Sequence, residues 1–486
     1  MIRQLIALAA ALLLAAASHA PIKASPACRA LLIGCDIFLT HENTYPSAQM
    51  NVERMDRMLR QDLRGYESIT RLDQGVADEA DLTDAIGRAF AKATDRDVSL
   101  LYICTHGLYD RVSLQPLLVL CDGEKEGSIS ARALQQALDR IPGRKILILD
   151  ACNSGAFIGK GEIRDEACRC FTGPDYLVLT SSGAYEDSFL WHDRDTAGGS
   201  YFAQELCDGL RSGAYDTDRD GIVTLSEAHA GLLESYGAST ARIYPQSSAE
   251  TLYVYDPASA DYSERPLGDI VLDNAVLTPE EDTLYFSFTI RRPVRVQYQI
   301  IYYRDGEWRF DSPQIIEDAE NARGALLPGR KQRAVTLVSE DEADSGYILL
   351  QIVTKEGRNA MLAGSRLFSV QQDHGDPGLT VLCPDAFRPG DGEELPVFIG
   401  HDFPCSLSVS IMDGENRMIR RLAYKTPSRP MGEREDGSFF YWDGKDSEGA
   451  TVPPGEYTVQ ATCRIGDTTW TQISRTELAG SQTPVP

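Results

Sequence analysis

Four short apolar runs in the first half of the chain most constrain its fold. They are residues 30–35 (ALLIGC), 98–104 (VSLLYIC), 145–150 (KILILD) and 176–180 (YLVLT). Their hydrophobicity is continuous rather than alternating, which is typical of strands covered on both faces, as in a parallel sheet. Segments with helical spacing lie between or after them, at 48–63, 79–93, 130–139 and 200–210. This β-α-β order predicts a doubly wound, three-layer α/β domain.

From Asp256 onward the chain has short strand-like runs rich in aromatic and β-branched residues, separated by turns such as Asp305-Gly306. This pattern predicts all-β sandwich modules. The polar segment 371–377 (QQDHGDP) marks a boundary between two of them. We therefore expect four parts: a signal peptide at 1–24, an α/β domain at 25–258, and β modules at 262–372 and 375–478.

The amino terminus predicts export. Residues 1–24 combine Arg3, an apolar run at 5–17 and then small residues. That run is too short for a bilayer core of about 30 Å but suits a secretory signal, with cleavage after Ala17 or Ala24. No later segment has the pattern of a transmembrane helix. We expect the mature protein to be secreted, periplasmic or located at the cell surface.

The charge of the chain narrows its partners. Its 486 residues carry a formal charge of −25, so its average field repels phosphate and disfavours nucleic acid or anionic lipid. Cations and basic peptides suit it better. The eleven cysteines would permit disulfides in an exported protein, but their odd number leaves at least one thiol over.

Two of the predicted strand ends carry reactive side chains. His106 lies two residues after the run 98–104, and Cys152 lies two residues after the run 145–150. Functional groups collect at the carboxyl ends of parallel strands, and an imidazole can serve as base for a thiol and later as acid for a leaving amine. Gly107 allows a turn after the histidine. We predict a Cys152–His106 dyad, with the amides of Gly107 and Cys152 as oxyanion donors.

These residues also carry a family resemblance. The pair His106-Gly107 and the segment 150–155 (DACNSG) resemble the caspase and metacaspase class of cysteine peptidases and, more loosely, the legumain, clostripain and gingipain groups. The resemblance spans about 27–255 and implies a caspase-like fold and a cysteine endopeptidase acting on peptides or proteins. Asp150 stands where true caspases have Gln. That difference favours the metacaspase-like and bacterial branches and does not support cleavage after Asp.

The resemblance implies that acidic residues after the first strand and after the fourth receive an Arg or Lys side chain before the scissile bond. Asp36 and Asp187 match those positions, with Glu186 as the alternative to Asp187. It therefore predicts cleavage after Arg or Lys, unless these residues are solvated loop acids. The polar segment 159–172 is a predicted site of self-cleavage, at Lys160, Arg164 or Arg169.

Residues 216–227 (DTDRDGIVTLSE) match the twelve-residue calcium-loop template. Gly221 makes the sharp turn of that template, and Gly213 is expected to end the preceding helix early. No paired second loop is evident. The loop predicts a single calcium site, structural or regulatory, whose ligands are Asp216, Asp218, Asp220, the Ile222 carbonyl, Thr224 and Glu227.

The last module carries a second resemblance. Residues 439–446 (FFYWDGKD) and 452–459 (VPPGEYTV) are similar to the Ig-like domain of flagellar hook-cap proteins, which implies an extracellular spacer or binding module with a cell-surface partner. Two other functions stay open for the whole chain. One is a non-catalytic extracellular binding protein on a peptidase-like fold. The other is a transpeptidase, since an amine as well as water can resolve an acyl-enzyme.

Overall fold

The computed structural model describes residues 26–110, 115–159, 170–184, 186–193, 196–235, 239–245, 248–259, 266–274, 276–277, 282–304, 307–309, 312–337, 347–356, 359–370, 376–389, 394–402, 405–428, 438–465 and 468–479. The predicted signal peptide lies outside these residues. So do Lys160, Arg164 and Arg169 of the predicted self-cleavage segment.

The first half of the chain contains thirteen described strands. They are β1 (Cys28–Gly34), β2 (Tyr66–Leu72), β3 (Val98–Cys104), β4 (Gly107–Asp110), β5 (Gln115–Cys121), β6 (Glu126–Ser130), β7 (Arg144–Asp150), β8 (Tyr176–Thr180), β9 (Leu190–Asp193), β10 (Thr196–Ser200), β11 (Ile222–Thr224), β12 (Arg242–Tyr244) and β13 (Thr251–Val254). The α-helices are α1 (Ser47–Gln61), α2 (Glu79–Ala89), α3 (Ala131–Leu138), α4 (Tyr201–Arg211) and α5 (Leu225–Ser235), and short 3₁₀ helices lie at Ser154–Phe157 and Pro257–Ser259.

Six of these strands form the central sheet, in the order β12-β8-β7-β3-β1-β2. All neighbours pair in parallel except β12, which is antiparallel to β8. The predicted parallel sheet is therefore a mixed sheet with an antiparallel edge. The four apolar runs supply β1, β3, β7 and β8, whose side chains are buried almost throughout.

Alternate residues of the central strands feed two separate cores, one on each face of the sheet. Leu32 and Tyr102 pack with α1, α4 and α5 on one face. Leu31 and Leu101 pack with α2, α3 and the small sheet β4-β5-β6 on the other. This arrangement explains the continuous hydrophobicity of the strands and gives the predicted three layers.

The remaining described chain is almost entirely β-structure. The middle region contains β14 (Leu267–Leu272), β15 (Val276–Leu277), β16 (Thr283–Ile290), β17 (Arg295–Arg304), β18 (Glu307–Trp308), β19 (Gln314–Glu317), β20 (Gly329–Thr336), β21 (Tyr347–Glu356) and β22 (Asn359–Val370), with a 3₁₀ helix at Ala319–Arg323. The last region contains β23 (Thr380–Leu382), β24 (Ala386–Phe387), β25 (Leu395–Gly400), β26 (Cys405–Met412), β27 (Met418–Ser428), β28 (Ser438–Trp442), β29 (Gly455–Ile465) and β30 (Thr468–Leu478).

Each of the two β regions has two sheets that share one apolar core. The sheet β14-β16-β20 and the sheet β15-β22-β21-β17-β18 enclose the first core, and the sheet β23-β25-β28 and the sheet β24-β30-β29-β26-β27 enclose the second. The Ig-like class of these modules and their predicted limits stay predictions. Among the described residues, no helix combines the length and hydropathy needed to cross a membrane.

The middle β region packs directly on the α/β domain. Ile301, Leu349, Val353 and Leu362 belong to the same buried cluster as α1, α4 and α5. The side chain of Gln204 on α4 donates a hydrogen bond to the Leu362 carbonyl. Between these contacts and those with the sheet, α1 and α5, every residue of α4 is buried.

Candidate active site

The two reactive side chains lie at adjacent strand ends. β3 and β7 are neighbours in the sheet, with Cys104 opposite Asp150, and the Thr105 amide donates to the Asp150 carbonyl at 3.3 Å. Both chains then turn at the same edge. A Cβ atom placed on Gly107 would lie 1.8 Å from the Cys152 carbonyl oxygen, so the two backbones are in direct contact. The structure thus brings His106-Gly107 against Cys152.

The imidazole of His106 is held by a backbone carbonyl. Its Nε2 lies 2.7 Å from the Glu42 carbonyl oxygen, and the Phe38 ring packs on it with centroids 4.6 Å apart. A carbonyl can only accept, so Nε2 carries the proton and the lone pair of the neutral ring is on Nδ1. This fixes which nitrogen can act as a base. Glu42 could not be recognised from the sequence, because its backbone rather than its side chain makes the contact.

The thiol of Cys152 contacts the backbone of Ser188. The Ser188 amide donates to Sγ at 3.3 Å, and Sγ lies 3.7 Å from the Ser188 carbonyl. Burial and the charge of Asp187 raise the pKa of Cys152 to about 12, although the Ser188 amide opposes the shift. The resting group is therefore a thiol, and within the described residues no hydrogen bond joins it to His106. Nucleophilic attack would need a base.

Asp150, at the end of β7, is a buried carboxylate surrounded by hydroxyl groups. Its Oδ2 accepts from Tyr102 at 2.9 Å and from Ser200 at 2.5 Å, and its Oδ1 accepts from Ser188 at 3.2 Å. Burial raises its pKa even though these hydroxyls favour the charged form. Ser188 therefore contacts both this carboxylate and the Cys152 thiol. From the sequence, Asp150 was recognised only as a difference from true caspases. Its position next to the thiol was not predicted.

The segment after Cys152 turns sharply and is fixed by the loop after β8. Asn153 adopts a left-handed conformation, with φ of 57°. Its amide donates to the Glu186 carbonyl at 2.8 Å, and its side chain donates to the Ala184 carbonyl at 2.9 Å. These contacts hold the thiol at the sheet edge.

The amide of Gly107 is free to point away from the small sheet. The Val119 amide donates to the His106 carbonyl at 2.9 Å, which makes His106 and Val119 a hydrogen-bonded pair. The next pair, Gly107 with Leu118, is then a pair whose amides face away from the partner strand. This orientation suits the predicted role of the Gly107 amide as an oxyanion donor.

Comparison with known proteins identifies the domain. Residues 27–236 match the family described as caspase domain. Residues 27–236 therefore form a caspase-like domain, called the caspase domain below. No curated protein sequence matches the chain.

Two solved structures are distantly similar to about half of this chain. Caspase-1 from Spodoptera frugiperda is 15% identical, with a TM-score of 0.32, over 48% of this chain and 92% of that one. Dimeric latent PorU from Porphyromonas gingivalis is 13% identical, with a TM-score of 0.19, over 50% of this chain and 23% of that one.

Two of the three acids predicted to bind a basic substrate side chain have structural partners in the caspase domain. The buried carboxylate of Asp36 accepts hydrogen bonds from Thr44 Oγ1, the Ala48 amide and the Gln49 amide, each at 2.8 Å. It therefore caps α1. The Glu186 carboxylate accepts from the Gly183 amide, from Ser239 and from both the amide and the hydroxyl of Thr240. It therefore ties the loop after β8 to the segment before β12.

Asp187 is placed differently. Its side chain is exposed, and its charge is one of the causes that raise the pKa of the Cys152 thiol. Of the three predicted specificity acids, Asp187 is the one that is both exposed and next to the thiol.

The predicted calcium loop lies between α4 and α5, at the far end of the caspase domain sequence. Side-chain oxygens of Asp216, Asp218 and Glu227 lie within 4.8 Å of one another. The loop has the expected sharp turn, with φ of 87° at Gly221. As Gly213 indicated, α4 ends before the loop, at Arg211.

The other predicted ligands lie in the same loop. Asp220 Oδ1 accepts the Ile222 amide at 2.7 Å, and Glu227 Oε2 accepts both the amide and the hydroxyl of Thr224 at 2.9 Å. The short strand β11, which contains Ile222 and Thr224, pairs with β13.

Proposed function

We propose that the caspase domain is a cysteine endopeptidase with Cys152 as nucleophile and His106 as general base and acid. The observation that carries this proposal is the contact between the Cys152 backbone and Gly107, at the ends of adjacent strands, together with the Glu42 carbonyl that holds His106 Nε2. A nucleophile, a base and a group that orients the base are the three parts that such catalysis needs.

The reaction follows from this arrangement. His106 Nδ1 takes the thiol proton as Cys152 Sγ attacks the peptide carbonyl, and the amides of Gly107 and Cys152 donate to the oxyanion. The imidazolium then gives its proton to the leaving amine as the carbon–nitrogen bond breaks. Water, deprotonated by His106, hydrolyses the thioester and regenerates the thiol. Because burial and Asp187 raise the pKa of the Cys152 thiol, the thiol needs this base to lose its proton.

A basic residue before the scissile bond suits the charges at this site. Asp187 is exposed beside the thiol, and the Asp150 carboxylate is buried among the hydroxyls of Tyr102, Ser188 and Ser200. A buried carboxylate without a cation is costly, and an Arg or Lys side chain would relieve that cost. We therefore propose cleavage after Arg or Lys, with Asp187 and Asp150 as the acidic groups and Asp36 and Glu186 supporting the surrounding loops.

Hydrolysis of fluorogenic peptides ending in Arg, Lys, Asn or Asp tests this proposal. We expect activity on the Arg and Lys peptides, loss of that activity in Cys152→Ala and in His106→Ala, and wild-type activity in the control Cys383→Ala, whose thiol lies in the last β region. An Asp187→Asn variant should lose activity on basic peptides selectively. If wild type is inactive on all four peptides, with and without calcium and after limited proteolysis, the binding-protein alternative is favoured.

The same peptides distinguish hydrolysis from transfer. An acyl-enzyme that prefers an amine acceptor would give a new amide product when a dipeptide amine is added, detectable by mass spectrometry. We expect the free acid to dominate.

We further propose that residues 216–227 bind one calcium ion. The oxygens of Asp216, Asp218 and Glu227 are already close together, and calcium prefers such hard oxygen ligands. Asp220, the Ile222 carbonyl and Thr224 would complete the ligand set. Bound calcium would neutralise the acidic loop and stabilise the connection between α4 and α5.

Thermal unfolding tests calcium binding without reference to peptidase activity. Added calcium should raise the melting temperature of the wild type in a saturable way, because a ligand that binds only the folded state stabilises it. Glu227→Gln should abolish the shift, and the control Glu79→Gln, on the exposed start of α2, should keep it. Equal shifts in wild type and Glu227→Gln would exclude this loop as the site.

The amino-terminal segment supports the proposal that the mature protein acts outside the cytoplasm. The two β regions would then serve as a spacer or as a surface that binds a cell-surface partner. Amino-terminal sequencing of the exported protein, with a start near residue 18 or 25, tests the first part.

A further inference from the structure

The tip of the loop that holds His106 is itself held by a carboxylate of β6. We call residues 35–46, between β1 and α1, the β1–α1 loop. This loop passes over His106, where it supplies the Glu42 carbonyl and the Phe38 ring. The position of the proposed base therefore depends on the position of this loop.

Glu126, the first residue of β6, binds three consecutive residues of the β1–α1 loop. Its Oε2 accepts the amides of Leu39, at 2.5 Å, and Thr40, at 2.9 Å. Its Oε1 accepts the Thr40 hydroxyl and lies 2.9 Å from His41 Nδ1. The Glu126 side chain is only 10% exposed. The Thr40 hydroxyl, the Thr40 and Leu39 amides and His41 together lower the pKa of Glu126 to about 2, so it is charged at neutral pH.

Beyond Cys35, which is buried in the core, the apolar contacts of the β1–α1 loop are few. Phe38 is 5% exposed, but Ile37, Leu39 and Tyr45 are 50%, 56% and 64% exposed. Segments with little buried apolar surface have low local stability and depend on polar contacts for their position. At the base of the loop, the Thr44 amide donates to the Asp36 carbonyl at 2.9 Å. At its tip, the hydrogen bonds to the Glu126 carboxylate hold the loop in position.

The same small sheet carries both Glu126 and the proposed oxyanion donor. β4 begins at Gly107, directly after His106, and β6 begins at Glu126, with β5 between them. The sheet therefore links the two sides of His106: the chain that contains it and the loop that holds its Nε2.

We infer that Glu126 is a positioning residue for the proposed peptidase: by binding residues 39–41 it keeps the Glu42 carbonyl on His106 Nε2 and so leaves Nδ1 free to act as the base. This inference rests on the proposed function. Loss of the carboxylate should release the tip of the loop, let the His106 ring rotate and reduce the fraction of enzyme with a correctly placed base.

Kinetics of Glu126→Ala against Glu124→Ala test the inference. Glu124 is an exposed acid two residues away on the β5–β6 turn, so the control makes the same change in charge on the same hairpin. We expect kcat on an Arg peptide to fall about 10- to 100-fold in Glu126→Ala, with KM within about threefold, because misplacement of a catalytic group by about 1 Å costs that much. Glu124→Ala should match the wild type.

A conservative variant separates positioning from general loss of structure. In Glu126→Gln, the side-chain carbonyl can still accept the two amides, and its NH₂ can donate to the Thr40 hydroxyl and to His41 Nδ1. It should recover most of the kcat lost in Glu126→Ala. If Glu126→Ala does not fold, Thr40→Val, which removes one donor to the carboxylate, should lower kcat with little change in melting temperature.

The rate of Cys152 alkylation by chloroacetamide at neutral pH distinguishes two outcomes: that the inference about Glu126 is wrong, and that the proposed function itself is wrong. It needs no peptide substrate. If His106→Ala and wild type alkylate at the same rate, the dyad itself is wrong. If His106→Ala is slow but Glu126→Ala reacts and turns over like wild type, the dyad stands and the positioning role of Glu126 is refuted.

Discussion

Gly107→Ala is the most direct test of the contact on which the active-site geometry depends. A Cβ atom at this position would lie 1.8 Å from the Cys152 carbonyl oxygen and 2.8 Å from its carbonyl carbon. Both atoms belong to the backbone, so neither can rotate away as a side chain could. Gly107 is not among the residues with positive φ, so alanine meets no conformational penalty there and the effect is purely steric. Since ordinary contact begins at 3.4 Å, the two strand ends must separate by about 1.6 Å.

The expected effect on catalysis follows from that displacement. A shift of about 1 Å between nucleophile and base already costs about 100-fold in rate, which is about 2.7 kcal/mol of transition-state stabilisation, so we expect a loss of at least that size. The assay is kcat/KM on an Arg peptide, with the melting temperature measured in parallel. Gly87→Ala is the matched control, since Gly87 is exposed on α2 with nothing within 4 Å of a new Cβ. It should keep full activity and gain up to about 1 kcal/mol in stability.

A folded Gly107→Ala variant with kcat/KM within about threefold of wild type would refute this account of the site. Such a result would mean that the two strand ends can separate without effect on the reaction, so that the contact is not part of the catalytic geometry.

Two further predictions concern stability. Hydrogen bonds from the Ala27 amide, the Arg29 guanidinium and Thr94 lower the pKa of Asp97 to about 2, so its contribution is present above its ordinary pKa and is lost as the pH falls towards 2. The gap in melting temperature between wild type and Asp97→Asn should therefore narrow from about pH 5 to about pH 2. Leu349→Ala, in the core shared by α4 and β21, should cost about 2–5 kcal/mol in urea unfolding and should lower the stability of the caspase domain as well as that of the middle β region. Separate unfolding of the two parts, with only the β region affected, would contradict a shared core.

The fold was predictable where one physical rule dominated. β1, β3, β7 and β8 are covered on both faces, so their sequences are apolar throughout and were recognised. β2, with the sequence YESITRL, is an edge strand that is only partly buried, and its mixed composition concealed it. The three residues of β12 are too few to show a pattern, so the antiparallel edge of the sheet could not be foreseen.

Only the parts of the candidate site that are formed by side chains could be predicted from the sequence. Cys152 and His106 were candidates because a thiol and an imidazole at strand ends are chemically distinctive, and their catalytic role stays a prediction. Glu42 and Ser188 contact them through backbone atoms, which leave no trace in the sequence. Asp36 was predicted to bind the basic substrate side chain, but two of its hydrogen-bond donors are amides of α1, which the sequence did not place next to it. Pro46 at the start of α1 provides no side-chain cap, so the first amides of that helix donate hydrogen bonds to the Asp36 carboxylate instead.

The helix α4 shows why the domain boundary predicted from the sequence is not a boundary of the buried core. Its polar residues Gln204, Glu205, Asp208 and Arg211 have the pattern of a solvent face, yet all four are buried. Gln204 and Glu205 lie against the middle β region, where the Leu362 carbonyl accepts a hydrogen bond from Gln204, and Arg211 donates to Gln61 of α1. A change of composition near residue 258 marks where the secondary structure changes, but the buried cluster continues across it to Ile301, Leu349 and Val353. Since α4 also leads into the acidic loop at 216–227, the middle β region supports the helix on which the proposed calcium site depends. The caspase domain and the middle β region are therefore best treated as one cooperative unit, because separating them would expose the apolar residues of their shared core to water.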